Sequence, residues 1–180
     1  MSTPRSAALR SWQDFKAHLG ETVHRWRRDG LPGRWRLLRD LEDLEGLRKA
    51  VPPSRMPPPE TFPQLYVATI DDGWGHGLDV IEAAARAAGA RTRRLGLLCS
   101  AERILGPCAQ EPPHILGLTV LHADSEPVVR QIVGGLSPTV RVWAGGPVFL
   151  WDPDFARRTG IHDVIDDVGV FLQRLSALLP

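Results

Sequence analysis

Several things are scarce in this chain, and each scarcity removes a class of function. There are two cysteines in 180 residues. Cys99 and Cys108 are too few for a zinc framework, a disulfide scaffold or an iron–sulfur cluster, and are expected to be reduced, partly buried thiols. Neither charge sign dominates: the formal net charge is +1, so global electrostatics make no case for nucleic acid or an anionic membrane. No apolar run reaches membrane-spanning length. The N-terminal "MSTPRSAALRSWQDF" lacks the apolar core of a signal peptide, so a cytoplasmic location is the expectation. Catalytic and phosphate-binding signatures are missing too. There is no G-x-x-x-x-G-K-[ST], no G-x-S-x-G elbow and no HExxH.

What remains falls into three parts. Residues 7–28 predict a helix, because Leu9, Trp12, Phe15, Leu19, Val23 and Trp26 recur at spacings of three and four. After the turn "DGLPG", residues 34–50 predict a second helix, with Trp35, Leu37, Leu38, Leu41, Leu44 and Leu47 on its apolar side. Such a pair must pack on the rest of the chain, on a second copy or on a partner. "HRWRRDGLPGRWRLLR" interleaves arginine with tryptophan in a way that suits nucleic acid. An amphipathic helix with a solvated arginine face accounts for it as well and is preferred. Six prolines within 51–63 then predict a stiff linker without regular structure.

From residue 64 the period alternates. Strands are predicted at 64–70, 91–98 (near an edge), 114–121, 140–146 and 162–166. Helices are predicted at 78–89, from 100, from 124 and near the C-terminus, with Ser100 and Asp124 as caps. Strands alternating with helices predict an α/β fold: a doubly wound, five-stranded parallel sheet preceded by a short helical pair. The domain boundaries expected are 1–50, 51–63 and 64–180.

In an open parallel sheet, ligands bind beyond the carboxyl ends of the strands. This chain places "DDGWGHG", "TVLHAD", "AGGPVF" and "DDVG" there, whereas the opposite ends carry plain connections such as "EPPH" and "LSPT". Glycines let a flat ligand approach the backbone, although βα loops also use glycine for turn geometry alone. "GWGHGLD" is G-x-G-x-G and so departs from the dinucleotide fingerprint.

Taken together, "DGWGHG" (Asp72, Trp74, Gly77), "TVL" (Thr119, Leu121) and "GG" (Gly145, Gly146) resemble, in order, the D-x-H-x-x-G, S-x-L and G-G motifs of the cobalamin (vitamin B12)-binding domain family. The spacing of "GARTRRLGLLCSAERIL", "ILGLTVL" and "VRVWAGGPVF" extends the resemblance over residues 62–178. It implies a flavodoxin-like fold and a corrinoid cofactor. The chain departs from the family at Trp74, which stands where histidine ligates cobalt; an indole nitrogen has no free lone pair for a metal. Three arrangements follow, in order of preference. Cobalamin is held base-on with Trp74 packed under the corrin or against the tail. Alternatively, His76 is the axial ligand to cobalt, or to another tetrapyrrole such as haem. Last, the pocket is an empty scaffold.

The resemblance makes the loop residues Asp72, Gly73, Trp74, Gly75, His76 and Gly77 candidate cofactor contacts. Thr119, Leu121 and His122 join them after the third strand, and Gly145, Gly146 and Pro147 after the fourth. Thr119 keeps the hydroxyl of the family's serine, Leu121 would line a channel for the nucleotide tail, and the two glycines would leave room for it. Without a histidine to support, Asp72 is expected to cap the helix beginning near Gly77. His114, His18, His24 and His162 read as structural or surface residues. No catalytic residue is identified. The expectation is a stand-alone cobalamin-binding sensor, regulator or carrier, not a complete enzyme. Its alternatives are a corrinoid subunit of a methyl-transfer or radical enzyme system, and a haem sensor using His76. The helical pair would cover the ligand or mediate homodimer or partner contacts.

Overall fold

The computed structural model describes residues 11–180. Its centre is a five-stranded, wholly parallel sheet: β1 (Gln64–Thr69), β2 (Arg91–Gly96), β3 (Ile115–Thr119), β4 (Arg141–Gly145) and β5 (Asp163–Val164), in the order β2-β1-β3-β4-β5. This is the doubly wound α/β arrangement that the alternating pattern predicts. The strand order reverses between β1 and β3, where a crevice opens at the carboxyl ends. β1 is buried along nearly its whole length, as befits a central strand. β2 lies at the edge and keeps three exposed residues, in line with its mixed polarity.

Because side chains alternate across a strand, each face of the sheet builds its own core. Tyr66, Ala68, Leu116, Leu118 and Val142 face α4 (Ala101–Gln110) and α5 (Glu126–Gly135). Leu65, Val67, Ile115 and Trp143 face α3 (His76–Ala88) and α8 (Val168–Ser176). Ala84, Ala85, Ala87 and Ala88 of α3 are fully buried, so no long side chain holds that helix off its neighbours.

The N-terminal pair continues this second layer. α1 (Trp12–Asp29) is capped by Ser11, whose Oγ accepts from the Asp14 N–H at 3.2 Å. It buries Trp12, Phe15, Leu19, Val23 and Trp26, the face that the spacing predicts. The predicted turns before Ser11, with Leu9, lie outside the described residues. α2 (Arg34–Lys49) buries Leu37, Leu41 and Leu44. Both helices belong to the same hydrophobic core as α3 and α8. Trp12 Nε1 and Lys16 Nζ donate to the Pro180 carbonyl, the lysine at 2.6 Å, which ties the first helix to the last residue.

Several local expectations are corrected. Trp35 is not on the packed side of α2 but 85% exposed. At ~100° per residue it lies about 200° from Leu37, off the buried stripe. Asp124 does not cap α5; it sits in a single 3₁₀ turn, Ala123–Ser125, that leads into the helix. β3 ends at Thr119, two residues early. The proline-rich segment carries two 3₁₀ turns, Pro53–Arg55 and Pro59–Thr61, and buries Val51 and Phe62 at its ends. Two short helices after β4, α6 (Val148–Trp151) and α7 (Phe155–Thr159), have no counterpart in the periodicity, since four or five residues are too few to show one.

Candidate functional site

Register places Val67, Gly117 and Trp143 side by side in one row across β1, β3 and β4. The middle position has no side chain. Above that gap lies a cavity of about 500 Å³, within the size range of small-molecule sites. Leu78 and Ile81 of α3 form one wall, and Val168 and Phe171 of α8 another. Leu31, Arg34 and Leu37, from the turn between α1 and α2 and the start of α2, close the outer side. Two residues nearer the strand ends, on the same face, Thr119 and Gly145 are register partners and line the mouth.

Trp143 is the largest residue of the floor. It is only 4% exposed and meets Phe171 edge-on, with ring centroids 5.9 Å apart at 87°. Its Nε1 is buried and has no hydrogen-bond partner. Leaving such a donor unpaired costs about 1–3 kcal/mol.

The loop after β1 is held tightly. Thr69 Oγ1 donates to the Asp72 carbonyl at 2.6 Å and accepts from the Leu98 N–H at 3.1 Å. Asp72 is buried, and its Oδ1 accepts from the Trp74 N–H at 2.8 Å. The expectation that Asp72 caps the following helix is thus corrected: its carboxylate closes a turn within the loop. The N-cap of α3 is Gly75, at φ +69°, without a side-chain cap. His76 is the first residue of α3 and exposed; its carbonyl accepts from Arg34 Nη1 at 2.9 Å. The Trp74 ring lies 6.2 Å from the His76 ring and is 82% exposed.

Asp71, one residue earlier, is the organising residue that the sequence did not reveal. Its carboxylate accepts from the Leu121 N–H at 2.8 Å, the His122 N–H at 2.9 Å and the Ser125 hydroxyl at 2.7 Å. It binds the loop after β3 to the loop after β1. Gly146 adopts φ +131°, and a Cβ there would lie 2.1 Å from the Val120 carbonyl oxygen. A Cβ on Gly145 would lie 2.7 Å from the Ile165 oxygen. These glycines are demanded by backbone packing whether or not a ligand is near.

Of the residues singled out in the sequence, Asp72, His76, Gly77, Thr119, Leu121, Gly145, Gly146 and Pro147 line the cavity. Gly73, Trp74, Gly75 and His122 do not. Trp74 and Leu98, in the loops after β1 and β2, and Leu150 and Trp151, in α6 after β4, are large apolar side chains left exposed. Gly117 and Trp143 were not singled out; a glycine in the middle of a buried strand was the available signal. His114 and His162 serve the opposite ends of the strands, where their Nδ1 atoms accept from the Gln64 and Val142 N–H groups, each at 3.0 Å. Burial raises the pKa of both thiols, that of Cys108 to about 11. Among the described residues, no three His, Cys, Asp or Glu side chains group around a possible metal position, and no helix is long and apolar enough to cross a membrane.

No protein-family model matches the chain, and no curated protein matches it. Solved structures do. A cobalamin-binding protein from Desulfitobacterium hafniense DCB-2 superposes with a TM-score of 0.76 at 17% identity, over 93% of this chain and 81% of that one. The monomethylamine corrinoid protein of Methanosarcina barkeri gives 0.57 at 14% identity, over 77% of this chain and 63% of that one. At these identities the likeness is one of fold: the flavodoxin-like α/β fold of cobalamin-binding structures.

Proposed function

We propose that this protein binds a cobalamin, with the nucleotide tail in the cavity between the sheet and α3/α8 and the corrin across the loops at the strand ends. The single observation that carries this is the cavity itself: about 500 Å³, walled by apolar side chains and opened by the missing side chain at Gly117. The motif residues Thr119, Gly145 and Gly146 stand at its mouth. Outside it, Trp74, Leu98, Leu150 and Trp151 offer an exposed apolar rim suited to a flat macrocycle.

The residues fit the group in the following way. The floor would take the tail's base, the mouth near Arg34 its sugar and phosphate, and the rim the ring. When bound, the cofactor would supply cobalt-centred chemistry, and the protein would orient it and shield it from water. His76 lines the mouth and Trp74 does not, so His76 is the imidazole best placed toward the metal. This shifts weight away from base-on binding, in which the tail's base would remain on cobalt and leave the cavity unused. Haem has no such tail and would likewise leave the cavity unused. The role is that of a sensor, regulator or carrier, with the corrinoid subunit of a larger enzyme system as the second reading; the corrinoid-protein fold neighbour is compatible with either.

Absorption titrations with cobalamin and, separately, haem test the proposal. Cobalamin is expected to bind and shift to a base-off spectrum, and His76→Ala to alter that spectrum more than Trp74→Ala. A retained base-on spectrum, or a Soret band with haem and no change with cobalamin, would overturn it.

A further inference from the structure

The turn between α1 and α2 reaches from one wall of the cavity to the other. A Cβ added to Gly169 of α8 would meet Leu31 Cδ2 at 3.7 Å and Arg27 Cγ at 4.0 Å, so both side chains lie over that glycine. On the far side Arg34 donates to the His76 carbonyl at 2.9 Å and pairs with Asp79 at 3.5 Å, both in the first turn of α3. These holds are weak. Residues 27–36 are all exposed except Pro32, and exposed ion pairs stabilise little. Gly30, at φ +86°, and Gly33 bound the turn, and a Cβ at either would meet nothing within 4 Å. α2 starts at Gly33 with no side-chain cap and no acid in its first turn. Arg34 and Arg36 stand there instead, where the helix dipole disfavours cations. α8, by contrast, starts at Asp167, whose carboxylate accepts from the Val170 N–H at 2.9 Å. α3 also starts at a glycine but carries Asp79 in its first turn.

We infer that residues 30–36 form a strap over the cavity, which opens by unwinding the first turn of α2 and so sets how fast a ligand enters and leaves. The other walls are costly to move. α3 and α8 pack on the sheet through Ala84, Ala85, Phe171 and Leu172, all buried. Opening the strap breaks the first bonds of one uncapped helix, beginning with the Leu37 N–H to the Gly33 carbonyl at 2.9 Å, and the exposed contacts of Leu31 and Arg34. Segments with few buried contacts open at the lowest cost. Leu37, Leu41 and Leu44 stay in the core and anchor the rest of α2. The identity of the ligand that passes rests on the proposed cobalamin reading; the motion of the strap does not.

Two variants outside the cavity lining test the strap in the full chain. Gly33→Asp supplies the missing cap at a backbone conformation open to any residue, φ −58° and ψ 153°. Trp35→Gly weakens the same turn at an 85% exposed side chain. Stopped-flow absorption follows binding of cobalamin in excess cyanide, whose base is already off cobalt. Gly33→Asp is expected to slow association and dissociation together, ~2–5-fold, and Trp35→Gly to speed both by a similar factor, with affinity unchanged. Rates equal to wild type in both variants would mean a fixed wall and overturn the inference; so would a change in dissociation alone, the mark of a simple contact. Amide exchange of the free chain tests the strap without any ligand. The Leu37 N–H should exchange faster than the Phe171 N–H, the equivalent first bond of capped α8, and ~2–5-fold more slowly in Gly33→Asp than in wild type. Leu37 exchange that is slower than that of Phe171, or unmoved by the new cap, overturns the strap. If no corrinoid binds, the cobalamin reading fails and amide exchange alone decides the strap.

Discussion

Gly117 and Trp143 are register partners on adjacent parallel strands, one with no side chain and the other with the largest there is. On the same row, Val67 flanks Gly117 from the other side. The space left between the valine and the indole is the floor of the cavity.

Gly117→Val should close that floor. A Cβ at 117 would sit 3.3 Å from Val67 Cγ1, tight but relievable, and the added methyls would enter the cavity. Forcing methyl groups against a ligand costs about 1–3 kcal/mol, so corrinoid affinity should fall ~10–100-fold in absorption titrations. The free protein should melt within a few degrees of wild type, because valine suits a strand.

Gly146→Ala should behave in the opposite way. Its φ of +131° and the 2.1 Å approach to the Val120 oxygen leave no place for a methyl group. The variant should lose ~3 kcal/mol or more of stability in denaturant titrations, before any ligand is added. Near-normal stability would mean that the β3 and β4 ends can separate.

Asp71→Ala removes one carboxylate and three hydrogen bonds that join two loops. A loss of about 2 kcal/mol is expected, seen as a melting temperature lower by ~4–8 °C. Hydrogen exchange should rise at Leu121 and His122, whose N–H groups lose their acceptor.

Cys108 gives the alkaline side of the stability profile. Burial raises its pKa from 9.0 to about 11. A group with a raised folded pKa contributes stability that is complete below its unfolded pKa and is lost as pH rises toward the folded one. Stability should thus decline between pH 9.0 and about 11, and Cys108→Ala should show a shallower decline over that window. Thiol reagents at neutral pH should react slowly at this position.

Arg158 gives the acid side. It donates to Glu126 at 2.8 Å and to Asp152, and it holds both carboxyls below their ordinary values of 4.5 and 3.8. Lowered carboxylate pKa values contribute stability that is present above the unfolded values and lost as pH falls through the folded ones. Arg158→Ala should flatten the loss of stability below about pH 4.5, and added salt should shrink the difference.

Much of this was written along the chain. Period-2 and period-3.6 patterns located the strands and the long helices, and β2 was legible as an edge from its arginines. The three motif clusters were legible as loops at one end of the sheet. The helix cap at Ser100 was legible too, and its Oγ accepts from the Arg103 N–H. The cap assigned to Asp124 failed because a 3₁₀ turn intervenes, and periodicity carries no sign of it. Asp71 was passed over for Asp72 because adjacent aspartates look alike in sequence. Only the folded loop shows which one reaches across to Ser125.

The order of strands and helices, the two-faced sheet and the end at which small residues gather follow from the amino-acid sequence alone, because side-chain periodicity and glycine placement are local properties. The tertiary structure decided that residues 67, 117 and 143 share a row, that the α1–α2 turn walls their cavity and that the Trp143 nitrogen is left without a partner. Those facts depend on parallel register between segments about 25–50 residues apart, and register is set when whole faces pack, not by any one segment.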